Sequence, residues 1–528
     1  MRTPSKSILE LTSSESMDFL LKSEQYHSFE LPEYFDFEVV LNYAKSSIGD
    51  KKYEECISQV SVSSLKDVNL DILLNKDGRY AVRPIVLCNP FLYYFLVREM
   101  CHEDNWTTIK EHFKSCTVPH IRSCAMPIVP QDTEKFYKED TILNWWNSME
   151  QKAIELSLQY RYMFVSDITN CYGSVNPQTI DWALNRLNTQ LETDTNQQLA
   201  QNIIRCLADL QQGRNIGIPQ GSTAFDLTGE IILSYSDLLL YESLEAEGIT
   251  DGYEILRYRD DYKIFCNNRD ILEKISYKLQ HVLEGLNFRL NSSKTFISDS
   301  VITDSIKSDK LYYIANTPIF NKKGCDFDGI QKHLLYILMF GRKFPNGGQL
   351  RTMLNQLDER IDEILKPHKK KKELTDKEPG VIIENVSAMS AIATQIAIEN
   401  VSITHFALKI ISRMVNSMSD IEKRDEIIEL VQSKLVSQPN STYSQLWLQN
   451  MTYKQDSKLK KSPYNIRLCK AVMGEKVQLW NNSWLKDEYT KDFPQTSVVN
   501  KEVLAKVGPV IRFREKRKYE DGFTEFDL

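Results

Sequence analysis

The spacing of apolar residues divides the chain into a stretch that alternates strand and helix and a stretch that reads as helix after helix. Between residues 160 and 300, short apolar runs alternate with longer runs near a 3.6-residue period. Tyr162 to Ile168 reads as a strand. Pro177 to Leu187 reads as a helix, with Asn176 as its cap and Pro177 at its first position. Gly217 to Gly221 is a loop before a long Ile- and Leu-rich helix, Ser222 to Leu244. Tyr253 to Tyr258 and Tyr262 to Cys266 are two short strands around Arg259-Asp260-Asp261. Ile271, Leu272, Ile275, Leu279, Val282, Leu283 and Leu286 line one face of a further helix.

Upstream, Asp36 to Ala44 reads as a short helix, and Phe91 to Met100 as a buried one. Between them, Asn75 to Leu87 reads as a turn at Asp77-Gly78 joining two strands. Residues 101–140 are irregular, with Pro119, Pro127 and Pro130. Beyond Ile330 strand signals fade. His333 to Phe340, Gln349 to Leu365, Ser387 to Met418, Ile421 to Leu435 and Tyr443 to Met451 read as helices. No strict repeat period is present, but paired helices of this size suit a degenerate helical-repeat domain. Disorder is expected over Val507 to Leu528.

Charge follows the same division. The net charge of −7 is an average: residues 1–330 carry 33 − 47 = −14 and residues 331–528 carry 32 − 25 = +7. The whole chain does not coat nucleic acid by bulk charge, yet its second part is basic. Apolar residues at 42% and charged residues at 26% suit a soluble globular protein. No apolar run approaches 18 residues, and the longest, Ile85 to Val97, is broken by Asn89 and Pro90, so no membrane partner is expected. Met1 to Leu11 lacks the pattern of a secretory signal, and ten cysteines without a CxxC pair suit a reducing cytosol.

Three carboxylates stand at strand ends. Asp167 closes the strand Tyr162 to Ser166, and Asp260 and Asp261 sit at a hairpin tip. Adjacent carboxylates repel unless solvated or neutralised by a cation. The pair fits an exposed turn, where Asp is common. With Asp167 it also fits a set of oxygen donors for two Mg²⁺ ions bridging phosphates, as in in-line phosphoryl displacement. Around them lie Tyr172, the small-residue loop Gly217-Ile-Pro-Gln-Gly-Ser222, and Leu290-Asn-Ser-Ser-Lys294-Thr. Lys76, Arg79 and Arg83 flank the first strand-turn-strand, where cations can meet a triphosphate.

In this order the set resembles the reverse transcriptase family over roughly residues 70–300. Ser166-Asp167-Ile-Thr-Asn-Cys-Tyr172 resembles its motif A, Gly217 to Ser222 motif B, Tyr258-Arg-Asp-Asp261 the YxDD box of motif C, Leu286 to Lys294 motif D, and Lys76 to Pro84 the fingers motifs. The resemblance implies an α+β right-hand polymerase, with fingers and palm on an antiparallel sheet with helices. It implies that Asp167, Asp260 and Asp261 bind two Mg²⁺ (or Mn²⁺), and that Lys294 protonates departing pyrophosphate. Tyr172 becomes a gate against the ribose 2′-OH, favouring dNTPs. Gln220 and Gly221 shape the nucleotide pocket, and Arg83 with Lys76 and Arg79 grips the triphosphate.

The familiar thumb is not evident. Some 200 residues of mostly helical chain follow, which resembles the bacterial abortive-infection and defence-associated reverse transcriptases with their HEAT-like C-terminal domains. The resemblance implies four parts: an N-terminal extension (1–70), fingers and palm (71–330), a helical domain (331–500) and a charged tail (501–528). It also implies RNA-templated or untemplated DNA synthesis in antiphage defence, with an RNA template or non-coding RNA as partner, a DNA product, and a homo-oligomer such as a trimer or hexamer. Phe225 stands where many relatives carry Ser. The alternatives are a non-catalytic nucleic-acid scaffold on a relict core, or a polymerase making RNA. His112, Cys116, His120 and Cys124 recur every fourth residue but meet no usual zinc spacing, so buried Cys and surface His are expected. Trp145-Trp146 reads as packing under the palm or as a base-stacking pair. The lysine run Lys366 and Lys369 to Lys372 reads as a solvated loop or a phosphate contact.

Overall fold

Strand alternation explains the central sheet. The computed structural model describes residues 6–75, 82–130, 141, 144–186, 194–318, 327–365, 385–458 and 462–513. Lys76, Arg79, the Asp77-Gly78 turn, the Lys366–Lys372 run and most of the charged tail lie outside the described residues.

The expected pair of fingers strands is present as β1 (Leu70–Asn75) and β2 (Val82–Leu87), antiparallel, with Leu74 opposite Arg83. The palm sheet has five strands: β3 (Ile121–Ser123), β4 (Tyr162–Asp167), β5 (Tyr253–Tyr258), β6 (Asp261–Cys266) and β7 (Phe296–Ser298), in the order β3-β5-β6-β4-β7. All neighbours run antiparallel except β3, which lies parallel to β5 at one edge.

The sheet is apolar on both faces. Phe164, Tyr253, Ile255, Tyr262 and Ile264 enter the main core. They pack towards the helices Thr223–Ala246 and Arg269–Gly285. The alternate residues Met163, Val165, Leu256, Tyr258 and Phe265 join a smaller cluster with Cys124, Met149, Ala153, Leu156 and Val301. Trp145 packs on this second cluster, with the Lys307 ammonium 4.3 Å from its ring centre. Period-two alternation therefore assigns each strand position to a face.

Beyond the palm the helices pack in two rows. Lys332–Lys343, Val386–Glu399 and Ile421–Val436 form one row, and Gln349–Leu365, Thr404–Val415 and Thr442–Asp456 the other. This is the two-layer arrangement of stacked helix pairs. The single helix expected from Ser387 to Met418 is two helices, separated by Asn400 and a 3₁₀ turn at Val401–Ile403. Buried Asn400 accepts a hydrogen bond from the Asn346 N–H at 2.8 Å, and Asn346 accepts one from the Ser402 N–H at 3.1 Å. These side-chain bonds replace helical ones and break the run.

Residues 477–500 return to the fingers as a strap of mostly irregular chain, with one short helix at Asp487–Thr490. The Trp480 indole donates to the Leu87 carbonyl at 3.1 Å, and Asn89 donates to the Asn482 side chain at 2.6 Å. Isolated bridges pair Ile57 with Leu485 and Phe35 with Val499. Trp480 and Trp484 are fully buried, so the main core runs continuously from Ile8 to Ile511.

Of the His and Cys residues spaced by four, His112 and Cys116 touch, with the sulfur 3.8 Å from the His112 Nε2, while His120 and Cys124 lie elsewhere; His112 is buried rather than on the surface as expected. The helix Glu103–Ser115 ends before Cys116. His112 faces the Ile231 carbonyl, His120 sits at φ +62° beside Glu254, and Cys124 belongs to the smaller cluster. Among the described residues no helix is long and apolar enough to cross a membrane.

Candidate active site

The carboxylates owe their meeting to sheet register. Asp167 is the last residue of β4 and lies directly opposite Asp261, the first of β6. Opposed residues share a face, so both project from the face of the smaller cluster, at the end of the sheet that this cluster leaves open. Asp260 is the second residue of the two-residue turn between β5 and β6, and its carbonyl accepts from the Ile168 N–H at 3.0 Å.

Asp167 is 7% exposed. One carboxylate oxygen accepts from the Lys294 ammonium at 2.6 Å, while the other, Oδ1, is buried without a hydrogen-bond partner. Desolvation raises Asp260. Desolvation, followed by the Asp260 charge, pushes Asp261 up to about 6, although its outer side is open to solvent. The Asp167 hydrogen bond in turn holds the Lys294 ammonium above the usual lysine range.

Lys294 is placed by the segment Asn291–Thr295. The Asn291 N–H donates to the Asp167 carbonyl at 2.8 Å, and the Ser166 and Thr295 hydroxyls pair at 2.7 Å. A 3₁₀ turn, Ser292–Lys294, then turns the lysine towards the carboxylate.

The Gly217–Ser222 loop is joined to the motif A segment by the Ile218 N–H, which donates to the Tyr172 carbonyl at 2.8 Å. It is joined to the fingers by the Val86 N–H, which donates to the Gln220 carbonyl at 3.2 Å. Gly221 is at φ +122°, and a Cβ there would meet Ile85 at 2.9 Å, so the position requires glycine. Ser222 caps the long helix through the Phe225 N–H. Phe225 is fully buried against Tyr93, which makes it a core residue. Arg83 is exposed on β2, the strand that carries Val86 to this loop.

Three polar contacts were not anticipated. Arg257, on the helix-facing side of β5, is 0% exposed. It donates to both carboxylate oxygens of Asp237 and of Glu230 at 2.7–3.1 Å. Tyr172 donates to Asp226 Oδ1 at 2.8 Å, and Arg259 to Asp226 Oδ2 at 2.6 Å. The sequence carried a signal for the first: Glu230 and Asp237 are seven residues apart on one face of an apolar helix, which requires a cationic partner.

The donor chemistry fits Mg²⁺, a hard cation that takes oxygen ligands. Asp167 Oδ1, buried and unpartnered, is the atom best prepared for one. Among the described residues no three ligand side chains already converge as a cage, and Lys294 holds the other Asp167 oxygen.

Residues 96–330 match the family model described as reverse transcriptase (RNA-dependent DNA polymerase). The match begins after the β1–β2 hairpin and includes all three carboxylates. No curated protein matches the chain. Similar solved structures include apo telomerase from Candida tropicalis truncated from its C-terminal domain, at 15% identity and TM-score 0.30. That alignment covers 49% of this chain and 54% of the telomerase chain, about half its length. Telomerase from Candida albicans in complex with a TWJ fragment of telomeric RNA is 12% identical with TM-score 0.31, covering 78% and 68%. Residues 96–330, which hold the palm sheet and the strand-end carboxylates, are thus similar to a reverse transcriptase domain.

Proposed function

We propose that the chain is a DNA polymerase of the reverse transcriptase type, extending a primer or protein hydroxyl with dNTPs on an RNA template or without one. The observation that carries this reading is the register that sets Asp167 opposite Asp261, with Asp260 beside them and Lys294 on Asp167. Asp167, Asp260 and Asp261 would hold two Mg²⁺ ions, with Mn²⁺ as a substitute. When bound, such a pair stabilises charge on the attacking and leaving oxygens. The hydroxyl oxygen bonds to the α-phosphorus, the bridging α–β P–O bond breaks, and the hydroxyl proton passes to solvent water. Lys294 supplies a proton to the departing pyrophosphate. Arg83, with Lys76 and Arg79, takes the triphosphate, while Gln220 and Gly221 shape the pocket. Tyr172 closes the space a 2′-OH would need, which favours a DNA product over RNA.

We place this activity in bacterial antiphage defence, in the cytoplasm and as a homo-oligomer. The support is the helical region that follows the palm where a thumb would stand. The test of the chemistry is a double variant, Asp260→Ala with Asp261→Ala. It is expected to lose all dNTP incorporation while its circular dichroism and unfolding profile stay those of the parent. Normal incorporation by the purified double variant refutes the assignment. Loss of phage protection in cells carrying the same variant tests the biological role.

A further inference from the structure

The ring proposed as the sugar gate is not free to set its own position. Tyr172 lies on a four-residue helix, Cys171–Ser174, entered through Asn170 in the left-handed conformation. Its ring lies over Gly229, where an added Cβ would stand 3.6 Å from the phenol. What holds the far end of the ring is the hydroxyl, which donates to Asp226 Oδ1 at 2.8 Å. Asp226 sits in the first turn of the helix that follows Ser222. Its other oxygen accepts from Arg259 at 2.6 Å.

Arg259 is the residue immediately before Asp260. It occupies the first position of the hairpin turn at φ +53°, a region a non-glycine residue enters at a cost. The ion pair to Asp226 and the Arg257 guanidinium, 3.4 Å from the Arg259 carbonyl, hold the turn in that shape. One carboxylate therefore ties the gate ring to the turn that presents Asp260.

We propose that Asp226 and Arg259 are positioning residues for sugar selection: they fix the Tyr172 ring and couple it to the carboxylate hairpin. The proposal rests on Tyr172 being the gate of a dNTP polymerase. A gate excludes a hydroxyl only where its edge is held, and a displacement of about 1 Å is enough to loosen a site.

The experiment compares kcat/KM for each dNTP with that for the matching rNTP within each variant, so that a general loss of activity cancels in the ratio. Tyr172→Phe keeps the ring and removes only the tethering donor. Asp226→Ala removes the acceptor, and Arg259→Ala removes the ion pair. Each is expected to lower the deoxy-to-ribo ratio by about tenfold or more, through a fall in KM for the rNTP. Arg259→Lys, which keeps a cation at Asp226, is expected to restore part of the ratio lost in Arg259→Ala. Wild-type ratios in Tyr172→Phe and Asp226→Ala overturn the proposal. Tyr172→Ala separates the two levels. If it admits ribonucleotides while those two do not, the gate stands and the positioning role falls. If it too keeps the wild-type ratio, Tyr172 is no gate and both fall.

Discussion

Replacing Arg257 by Met tests how the hairpin that carries Asp260 and Asp261 is anchored. The guanidinium is sealed between β5 and the long helix, with Glu230 and Asp237 as its partners, 1% and 4% exposed. Methionine fills similar volume but leaves two buried carboxylates facing each other without a cation. Breaking a buried ion pair by removing one partner costs about 3–5 kcal/mol, because the remaining charge stays desolvated. Asp237 is already raised by desolvation, and Arg257 is the main influence lowering it. In Arg257→Met its carboxyl rises further above the unfolded value. A carboxyl raised in the folded state binds its proton more tightly there, so it stabilises the fold at low pH and that contribution is lost as pH rises through the folded value. The deficit of the variant relative to wild type is therefore smaller at pH 6 than at pH 8. Urea unfolding followed by tryptophan fluorescence at both pH values measures this. Adding Glu230→Gln and Asp237→Asn to Arg257→Met should recover most of the loss. A variant within about 1 kcal/mol of wild type at pH 8, or a deficit independent of pH, refutes the reasoning.

Three further substitutions probe other parts of the chain. Lys294→Ala should lower single-turnover incorporation by about a hundredfold with little change in apparent dNTP affinity, as for loss of a general acid; a fall of less than about threefold would remove Lys294 from the chemistry. Asn400→Ala leaves the Asn346 N–H without its acceptor and should destabilise by about 1–3 kcal/mol in urea titration; no change would show that the helix break is held by something else. Trp480→Ala empties a fully buried site beside the Leu87 carbonyl and should cost about 3–5 kcal/mol. Hydrogen exchange should quicken at Val86 and Leu87, and unchanged exchange there would mean that the strap does not support the fingers.

The palm was legible because its strands are short, alternate on two apolar faces and end in charge. Tyr253 to Tyr258 was read to the residue, and the long helix after Ser222 to within two residues. The break at Asn400 was not legible, because no Gly or Pro marks it and its cause is a pair of asparagines 54 residues apart in sequence. The strap was missed for a related reason. Residues 477–500 have no period of their own, and Trp480 and Trp484 acquire a meaning only beside Leu87 and Tyr53. In the candidate site, residue types singled out the three carboxylates and Lys294, and the sheet register is what brings them together. The Tyr172–Asp226–Arg259 link was silent, since an Asp in a first helical turn is ordinary.

The returning strap also sets a schedule for the protein's birth. A ribosome releases the fingers strands some 390 residues before Trp480, whose indole binds the Leu87 carbonyl. Domains usually fold as they emerge, the N-terminal one first. Here Leu87, Asn89 and Ile57 each have a partner in residues 477–500, which a ribosome releases only near the end of synthesis. A product that carries Asp167, Asp260 and Asp261 but ends before residue 477 would lack the piece that closes its fingers. The contacts that close the fingers are therefore among the longest-range in the chain, and long-range contacts of this kind form late.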